Sequence, residues 1–424
     1  MNDPAFFALQ ISPSEWRSYS FGCHPDVIVA LSDTPFTDPP YSQKRLTKSI
    51  DRSAKWLADI LRPSGDASTP HSNRPSVLVH MAGGTSTAAR RAFADSLLET
   101  LYGKEAEQVA PLRCLDEGVI GYTFDLVPLR LSLEAVMIKA QDDLSPNMGY
   151  LGSAPLRSLV LTDHLVPLIN ASLESLPASK LRIANTTSSP HEMLQLIQRT
   201  GIDLFDAHWA QNAANIGLAL DFTFPAPTHV AISDKLRTRA NGKRDLGHNF
   251  YDSIYASDFS SLADGFSPAS ATSPGSSGPP QAKQTCPCLA CSPVFPNTRV
   301  CHGPPELEAE PPASGNDIYR PPFTRAYLHH LLQTHEMSAH SLLVMHNLSV
   351  LDAFFAGVRD AIAAAEGVFE REVERFIQTY DEDMAVFDEA AVGWRNVDLA
   401  RGKGRLAREK ANQPGDADVL VVDK

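Results

Sequence analysis

The chain has 424 residues, of which 43% are apolar and 21% are charged, and its formal net charge is −13. The composition is that of an ordinary soluble chain, and no stretch approaches the ~18 uninterrupted apolar residues of a membrane-spanning helix, so we predict no integral membrane segment. Because a stand-alone nucleic-acid-binding domain usually carries a basic surplus, any contact with RNA has to be local.

The N-terminal sequence and the cysteines predict a reducing compartment. Residues Met1 to Pro4 lack the basic start of a signal peptide, and Cys23 and Cys114 stand far apart. We therefore expect a cytoplasmic protein, with peripheral association at the mitochondrial outer membrane as a second location.

The first half of the chain alternates short β-branched runs with longer helical patterns, which is typical of βα units around a parallel sheet. The predicted strands are 27–31, 77–81, 118–124, 181–184 and 203–207, and the predicted helices are 42–61, 87–101, 156–175 and 190–199. Five such steps fit either a doubly wound sheet or part of a (β/α)8 barrel. Periodicity does not distinguish the two.

The first predicted helix carries a stripe of cations. Lys44, Lys48, Arg52 and Lys55 stand at positions i, i+4, i+8 and i+11, which places them on one face. A solvated helix face explains such a stripe, and so does a contact with RNA phosphates.

Composition divides the chain into four parts. Residues 1–250 form the barrel portion, and 251–285 form an insert rich in Ser, Pro and Gly that we expect to be disordered. Residues 286–380 form a zinc-binding subdomain with C-terminal helices and a flexible insert near 292–322. Residues 381–424 are polar and predicted to be a loose tail.

Three cysteines mark the start of the third part. Cys286, Cys288 and Cys291 have the C-x-C-x2-C spacing with which three thiolates bind one face of a tetrahedral zinc ion, and a fourth ligand closes a structural site. Surplus thiols are the simpler alternative. The candidates for the fourth ligand are Cys301, His302, His329, His330, His335, His340 and His346. Spacing favours Cys301 or His302, but both lie in a segment rich in Pro and Gly, whereas His346 lies on a leucine-rich helical stretch.

Two segments together carry a family resemblance. The first runs from L-P-A-S-K-L-R at 176–182 to R-T-G-I-D-L-F-D at 199–206, and the second joins the cysteines to T-R-A-Y-L-H-H-L at 324–331 and H-N-L at 346–348. Both resemble tRNA-guanine transglycosylases, (β/α)8-barrel enzymes that exchange a guanine in tRNA for a modified base. The resemblance extends over about 26–380 and includes the glycine pair Gly83 and Gly84.

The resemblance implies a fold and a ligand set. The fold is a (β/α)8 TIM-type barrel that lacks its first strands, with a C-terminal zinc-binding subdomain. In the family the zinc histidine follows the arginine of the R-A-Y motif by 21 residues, which is the separation of Arg325 and His346. The implied ligands of one zinc ion per subunit are therefore Cys286, Cys288, Cys291 and His346.

The sequence departs from the family pattern at the positions of the catalytic and base-binding residues. Asp206 matches the family's nucleophile, but 207–215 lacks the P-T-R sequence and the basic loop that follow it in catalytic members. The D-S-G-G-F-Q motif of the second carboxylate is absent, and Ala82 replaces a base-reading glutamine. The resemblance therefore implies a subunit with no catalytic residues of its own.

The implied partner is a catalytic subunit, in a heterodimer that exchanges guanine for queuine at the wobble position of tRNAs with GUN anticodons. We expect the chain to meet tRNA through that complex. The alternative is an active homodimeric enzyme with Asp206 as its nucleophile and Asp33 or Asp125 as the second carboxylate. A third interpretation is an interaction scaffold on an organelle surface.

Overall fold

The computed structural model describes residues 11–34, 39–63, 75–144, 158–228, 236–263, 286–291 and 323–412. The chain divides into two compact units, Met1–His208 and Trp209–Lys424, and each is described by itself. Most of the predicted disordered insert, at 264–285, and the whole of the second insert, at 292–322, lie outside the described residues. The expectation of disorder is wrong for 251–263, where Tyr255 and Leu262 are buried in the core of the second unit.

The first unit is built on a five-stranded parallel sheet. Its strands are β1 (Val27–Val29), β2 (Ser76–His80), β3 (Gly121–Asp125), β4 (Leu181–Asn185) and β5 (Leu204–Phe205). They lie in the order β1-β2-β3-β4-β5, and each pair is parallel. The five predicted strands are confirmed. A doubly wound sheet reverses its strand order at a switch point, and these strands follow chain order throughout, so the doubly wound alternative is wrong for them.

Helices connect the strands of the first unit. They are α1 (Pro13–Gly22), α2 (Gln43–Leu61), α3 (Thr87–Leu98), α4 (Gly103–Val109), α5 (Leu126–Leu144), α6 (Ser158–Leu173) and α7 (Pro190–Thr200). Four of them begin after a capping serine, since Ser12, Ser42, Ser86 and Ser189 each accept a hydrogen bond from a backbone N–H of the first turn. Such caps fix where the chain leaves a strand end and enters a helix.

The two faces of the sheet differ in burial. Side chains on one face, including Val77, Val79, Tyr122, Phe124 and Ala184, are buried in the core with Leu57, Phe93, Leu97, Ile169 and Leu196 of the helices. On the other face, the strand register places Val29 beside Leu78 and Gly121 beside Leu181. Val27, Val29, Leu181 and Leu204 are 40% to 47% exposed there. This second face is therefore exposed and apolar on β1, at the start of β4 and on β5, whereas Leu78 of β2 and Thr123 of β3 are buried on it.

The second unit is mainly helical. Strands β6 (Leu218–Leu220) and β7 (Gly247–Asn249) form an antiparallel pair. The helices are α8 (His208–Asn215), at whose start the two units meet in sequence, α9 (Arg325–Gln333), α10 (Met337–Ala363), α11 (Val368–Thr379) and α12 (Ala385–Asn412). An aromatic core links the strands to the helices, with the Phe222 ring 5.6 Å from Phe354 and 6.0 Å from Phe376 between centroids.

The expectation of a loose tail is wrong for 385–412, which form α12. Val386 and Ala390 of this helix are buried, and Glu389 accepts hydrogen bonds from Arg239 at 2.6 and 3.2 Å. Arg239 in turn pairs with the buried Asp245 at 2.5 Å. These contacts order a segment that looks merely polar in sequence.

Helix α10 is long and apolar enough to meet the criteria for a membrane span, and 44% of its apolar 18-residue stretch is buried. A core helix meets the same criteria, so they are weak support for a span. The buried residues of α10 include the polar side chains of His346 and Asn347, whose contacts are described below.

Candidate metal centre and strand-end cavity

The four predicted zinc ligands come together in the second unit. Cys286, Cys288 and Cys291 lie on a short turn that packs against α9 and α10, and His346 projects from the middle of α10. All four side chains are buried, and their ligand atoms lie within 4.8 Å of one another. The Nδ1 atom of His346 is 3.7, 3.8 and 3.4 Å from the three sulfur atoms in chain order.

These distances fit a tetrahedral zinc ion. With Zn–S bonds of about 2.3 Å and a Zn–N bond of about 2.0 Å, tetrahedral angles separate sulfur from nitrogen by about 3.5 Å. The separations in the structure lie on either side of that value. Three thiolates and one imidazole are also the donors that zinc prefers in closed structural sites. The cluster can therefore hold a metal ion, and zinc suits it.

A backbone carbonyl orients the His346 ring. The Nε2 atom lies 2.9 Å from the carbonyl oxygen of Leu220 on β6. A carbonyl can only accept a hydrogen bond, so Nε2 carries a proton, and Nδ1 is the nitrogen that would present its lone pair to a metal ion. Outer contacts of this kind fix the tautomer of metal-binding histidines.

The next residue, Asn347, completes the attachment of α10 to β6. Its side-chain oxygen accepts from the backbone N–H of Leu220 at 2.9 Å. Its amide group donates to the carbonyls of Ala210 at 3.1 Å and Leu218 at 3.0 Å. Asn347 is fully buried, so all three bonds form away from water. His346 and Asn347 together hold both polar groups of the Leu220 backbone.

The electrostatics of the cluster favour a cation. Contacts with Cys286 and Cys291 lower the pKa of Cys288, while contacts with Cys286 and Cys288 raise the pKa of Cys291. Burial lowers the pKa of His346 but the Cys286 and Cys288 sulfurs raise it, to about 10 overall. Ionised sulfurs at this separation repel one another, and a divalent cation between them removes that conflict.

The other described histidines of α9, of α10 and of the turn between them do not contribute to the cluster. His329, His335 and His340 each contact a backbone carbonyl, of Phe250 at 2.8 Å, Val397 at 3.0 Å and Ala214 at 3.1 Å respectively. His330 is exposed on α9. Cys301 and His302 lie outside the described residues.

Arg325 of the R-A-Y motif is the first residue of α9 and is fully buried. Its Nη2 atom is 3.0 Å from Nε2 of His248, and its guanidinium carbon is 5.9 Å from the centroid of the Tyr255 ring. His248 also contacts Asp221 at 2.9 Å. Sequence reasoning missed His248 and Asp221, and it missed Asn347 as a structural residue, because their partners are 27 or more residues away along the chain.

The first unit has a cavity of about 330 Å³ at the carboxyl ends of β1, β2 and β3. Ligands of parallel α/β sheets bind at such strand ends. Ala82, Gly83 and Gly84 line the cavity, and Gly83 has a φ of 118°, which favours glycine. A Cβ atom on Gly83 would lie 2.7 Å from the backbone nitrogen of Arg90. The methyl group of Ala82 cannot hydrogen-bond a ligand.

Of the carboxylates considered for catalysis, Asp33 and Asp125 line this cavity. Asp33 accepts two hydrogen bonds from Arg45, at 3.0 and 2.8 Å, and pairs with Arg52 at 3.3 Å. The Arg45 hydrogen bonds hold the pKa of Asp33 below its usual range. Asp33 therefore stays ionised near neutral pH and is a poor proton-transfer group.

The carboxylate of Asp206 accepts hydrogen bonds from backbone N–H groups. One of its oxygens accepts from the N–H of Thr186 at 2.8 Å, and the other accepts from the N–H of His208 at 3.2 Å. It is not among the described residues that line the cavity. These bonds tie the end of β5 to the end of β4, as a structural carboxylate would.

The parallel α/β sheet and the cluster of three cysteines and one histidine agree with the resemblance to tRNA-guanine transglycosylases. A family model described as "Queuine tRNA-ribosyltransferase" matches residues 308–382, a stretch that contains Arg325 and His346.

Individual proteins that are similar to this chain share one name. Proteins named "Queuine tRNA-ribosyltransferase accessory subunit 2" are 24% identical over 84% of this chain in Schizosaccharomyces pombe, 25% over 88% in Aedes aegypti and 24% over 83% in Caenorhabditis elegans. The matches confirm the predicted resemblance. The chain spans 54%, 64% and 65% of the lengths of these relatives.

Proposed function

We propose that this chain is the noncatalytic subunit of a heterodimeric queuine tRNA-ribosyltransferase, which exchanges guanine for queuine at the wobble position of tRNAs with GUN anticodons. The observation that carries this proposal is the similarity, over more than four fifths of the chain, to relatives named as accessory subunits. The partner is a catalytic subunit, and tRNA is bound by the complex.

The carboxylate geometry supports a noncatalytic role over the homodimeric alternative. A nucleophile must lie where it can reach the ribose carbon, and Asp206, whose oxygens accept from two backbone N–H groups, is not among the described residues that line the strand-end cavity. Of the two candidates for the second carboxylate, Asp33 is ion-paired with Arg45 and Arg52, and one oxygen of Asp125 accepts from the Val127 N–H and the Thr186 hydroxyl, both at 3.2 Å. Residues 207–215 offer no Lys or Arg for RNA phosphates. Each of these groups would supply transition-state or binding energy that the others cannot replace.

For the metal centre, we propose one zinc ion per chain, held by Cys286, Cys288, Cys291 and His346. The fit of the donor atoms to a tetrahedron and their complete burial support this assignment. A closed site of four protein ligands leaves no position for substrate, so the ion would be structural. It would join the cysteine turn to α10 and, through His346, to Leu220 of β6.

We propose that the five parallel strands are part of a (β/α)8 barrel. Their order along the chain is that of a barrel wall, and strands of a barrel fill its interior with alternate side chains. The exposed face that carries Val27, Val29, Leu181 and Leu204 is apolar enough for such an interior.

We propose that the protein is located in the cytoplasm, with peripheral association at the mitochondrial outer membrane as a second location.

Complex formation tests the proposal. The purified chain is mixed with the catalytic queuine tRNA-ribosyltransferase subunit of the same organism, and the mass of the product is measured by size-exclusion chromatography with light scattering. A one-to-one complex is expected, with each chain run alone as the control. Failure to associate, with catalysis by this chain alone, would support the homodimeric enzyme.

A further inference from the structure

The exposed face of α2 carries more cations than the stability of the helix requires. This helix carries Lys44, Arg45, Lys48, Arg52 and Lys55 against two acidic residues, in a chain whose net charge is −13. Helix stability favours acidic residues in the first turn, because cations there oppose the positive end of the helix dipole. The first turn of α2 has no acidic residue. The positive potential of the helix end and of the side chains therefore adds.

Three of these cations are available to a partner. Lys44, Lys48 and Lys55 are exposed, and none has an ion pair with any residue that the structure describes. At about 100° per residue they lie within an arc of about 40°, on the side of the helix opposite the buried Ser53, Leu57 and Ile60. Arg45 and Arg52 instead pair with Asp33.

The acidic residues of α2 leave the lysine row largely positive. Asp59 pairs with Arg62 at 2.6 Å, at the far end of the helix. Asp51 is exposed beside the row and partly offsets it. Lys44 and Lys55 are about 16 Å apart along the helix axis, with Lys48 about 6 Å from Lys44. A line of separated charges of this length suits an extended polyanion.

We infer that the lysine row of α2 (Lys44, Lys48 and Lys55) binds the phosphate backbone of RNA. This inference rests on the proposed function, because tRNA is the RNA that the complex would hold. An anionic membrane fits the helix less well, since membrane-surface helices insert an apolar face and the apolar residues of α2, such as Leu57 and Ile60, are buried in the core. The row also begins beside the strand-end cavity, which Tyr41 and Leu46 line.

The test uses the heterodimer with a labelled GUN-anticodon tRNA, and binding is measured by fluorescence anisotropy over a range of KCl concentrations. The variant is the triple Lys44→Gln, Lys48→Gln, Lys55→Gln. Each phosphate contact contributes about 0.7 to the slope of log K against log salt, so losing three lowers the slope by about 2. The affinity should fall about 10- to 50-fold at about 0.15 M salt.

A matched control removes the same charge elsewhere. Lys104, Arg359 and Arg371 are also exposed, and their triple glutamine variant should change the affinity less than about twofold. Asp51→Asn should tighten binding. If the lysine variant behaves like the control, the inference is overturned. The same holds if the lysine variant loses binding to phosphatidylserine vesicles but keeps its affinity for tRNA.

The outcomes separate this inference from the proposed function. A wild-type heterodimer that exchanges the base, with a lysine variant that binds tRNA normally, overturns only the role of the lysine row. A wild-type heterodimer that neither binds tRNA nor exchanges the base overturns the proposed function. All the substituted side chains are exposed, so the variants should fold.

Discussion

Replacing Asn347 by alanine should strongly destabilise the second unit, because this one side chain makes three buried hydrogen bonds. The change removes three buried hydrogen bonds, to Leu220, Leu218 and Ala210. An unsatisfied buried N–H costs about 1–3 kcal/mol, and each carbonyl that loses a donor adds about 0.5–1 kcal/mol. The free energy of unfolding should therefore fall by about 3 kcal/mol.

Hydrogen exchange is the most direct assay, because it reports on Leu220 itself. The Leu220 amide should exchange markedly faster in the variant, and the denaturant midpoint of the second unit should fall. Ser349→Ala is the matched control on the same helix. The Ser349 hydroxyl donates only to the Met345 carbonyl one turn earlier, so its loss should cost less than about 0.5 kcal/mol.

Asn347→Asp sharpens the test. Aspartate keeps an acceptor for the Leu220 N–H but loses both donors and places a carboxylate against two carbonyl oxygens, so it should destabilise at least as much as alanine. A loss below about 1 kcal/mol in Asn347→Ala, with the Leu220 amide as protected as in the wild type, would refute this account of how α10 is attached to β6.

Three further substitutions test other contacts of the two units. Cys288→Ser should remove the metal, from one zinc ion per chain to almost none by mass spectrometry, and should unfold much of the second unit. Gly357→Ala should cost about 1–3 kcal/mol in a denaturant titration, because a Cβ there would overlap a backbone carbonyl oxygen. Asp33→Asn should cost about 2 kcal/mol at neutral pH. Because Arg45 lowers the pKa of Asp33, this stabilisation is present above the ordinary aspartate pKa of about 3.9 and is lost as pH falls through the lower folded value, so wild type and variant should converge in acid.

Each of these has a control and a contradicting result. Cys23→Ser, at an exposed thiol, should keep the zinc, and full zinc content in the Cys288 variant would exclude a four-ligand site. Gly22→Ala introduces a methyl group into open space and should be nearly neutral, whereas an equally neutral Gly357→Ala would contradict the close approach. A constant stability difference for Asp33→Asn down to strongly acid pH would mean that its ion pairs contribute nothing.

Local patterns predicted the sheet of the first unit well. β2 and β4 are short apolar or β-branched runs bounded by turn residues, and α2 begins at a capping serine with a regular apolar face. Helix α5 was missed because it follows β3 directly, with no turn residue to separate a strand pattern from a helical one. The order of the strands required the structure, since periodicity carries no information on neighbours.

The metal site was predictable only in part. Cys286, Cys288 and Cys291 stand close enough in sequence for their spacing to indicate a zinc ligand set. His346 is 55 residues beyond Cys291; its leucine-rich stretch made it a candidate, and only the family resemblance selected it over Cys301 and His302. The contacts that fix its ring, to a carbonyl 126 residues away, leave no local signal in the sequence. For Asp206, its place next to Phe205 at a strand end indicates a carboxylate that accepts backbone hydrogen bonds, as it does, but the sequence does not identify Thr186 as a partner.

The central claim is that this chain supports base exchange without performing it. Its most direct test is the incorporation of labelled queuine or guanine into a GUN-anticodon tRNA, measured with the purified chain alone and with the catalytic subunit of the same organism. We predict exchange only in the mixture, and equal exchange when this chain carries Asp206→Asn. Exchange by this chain alone, abolished by Asp206→Asn, would contradict the account and identify a working active site.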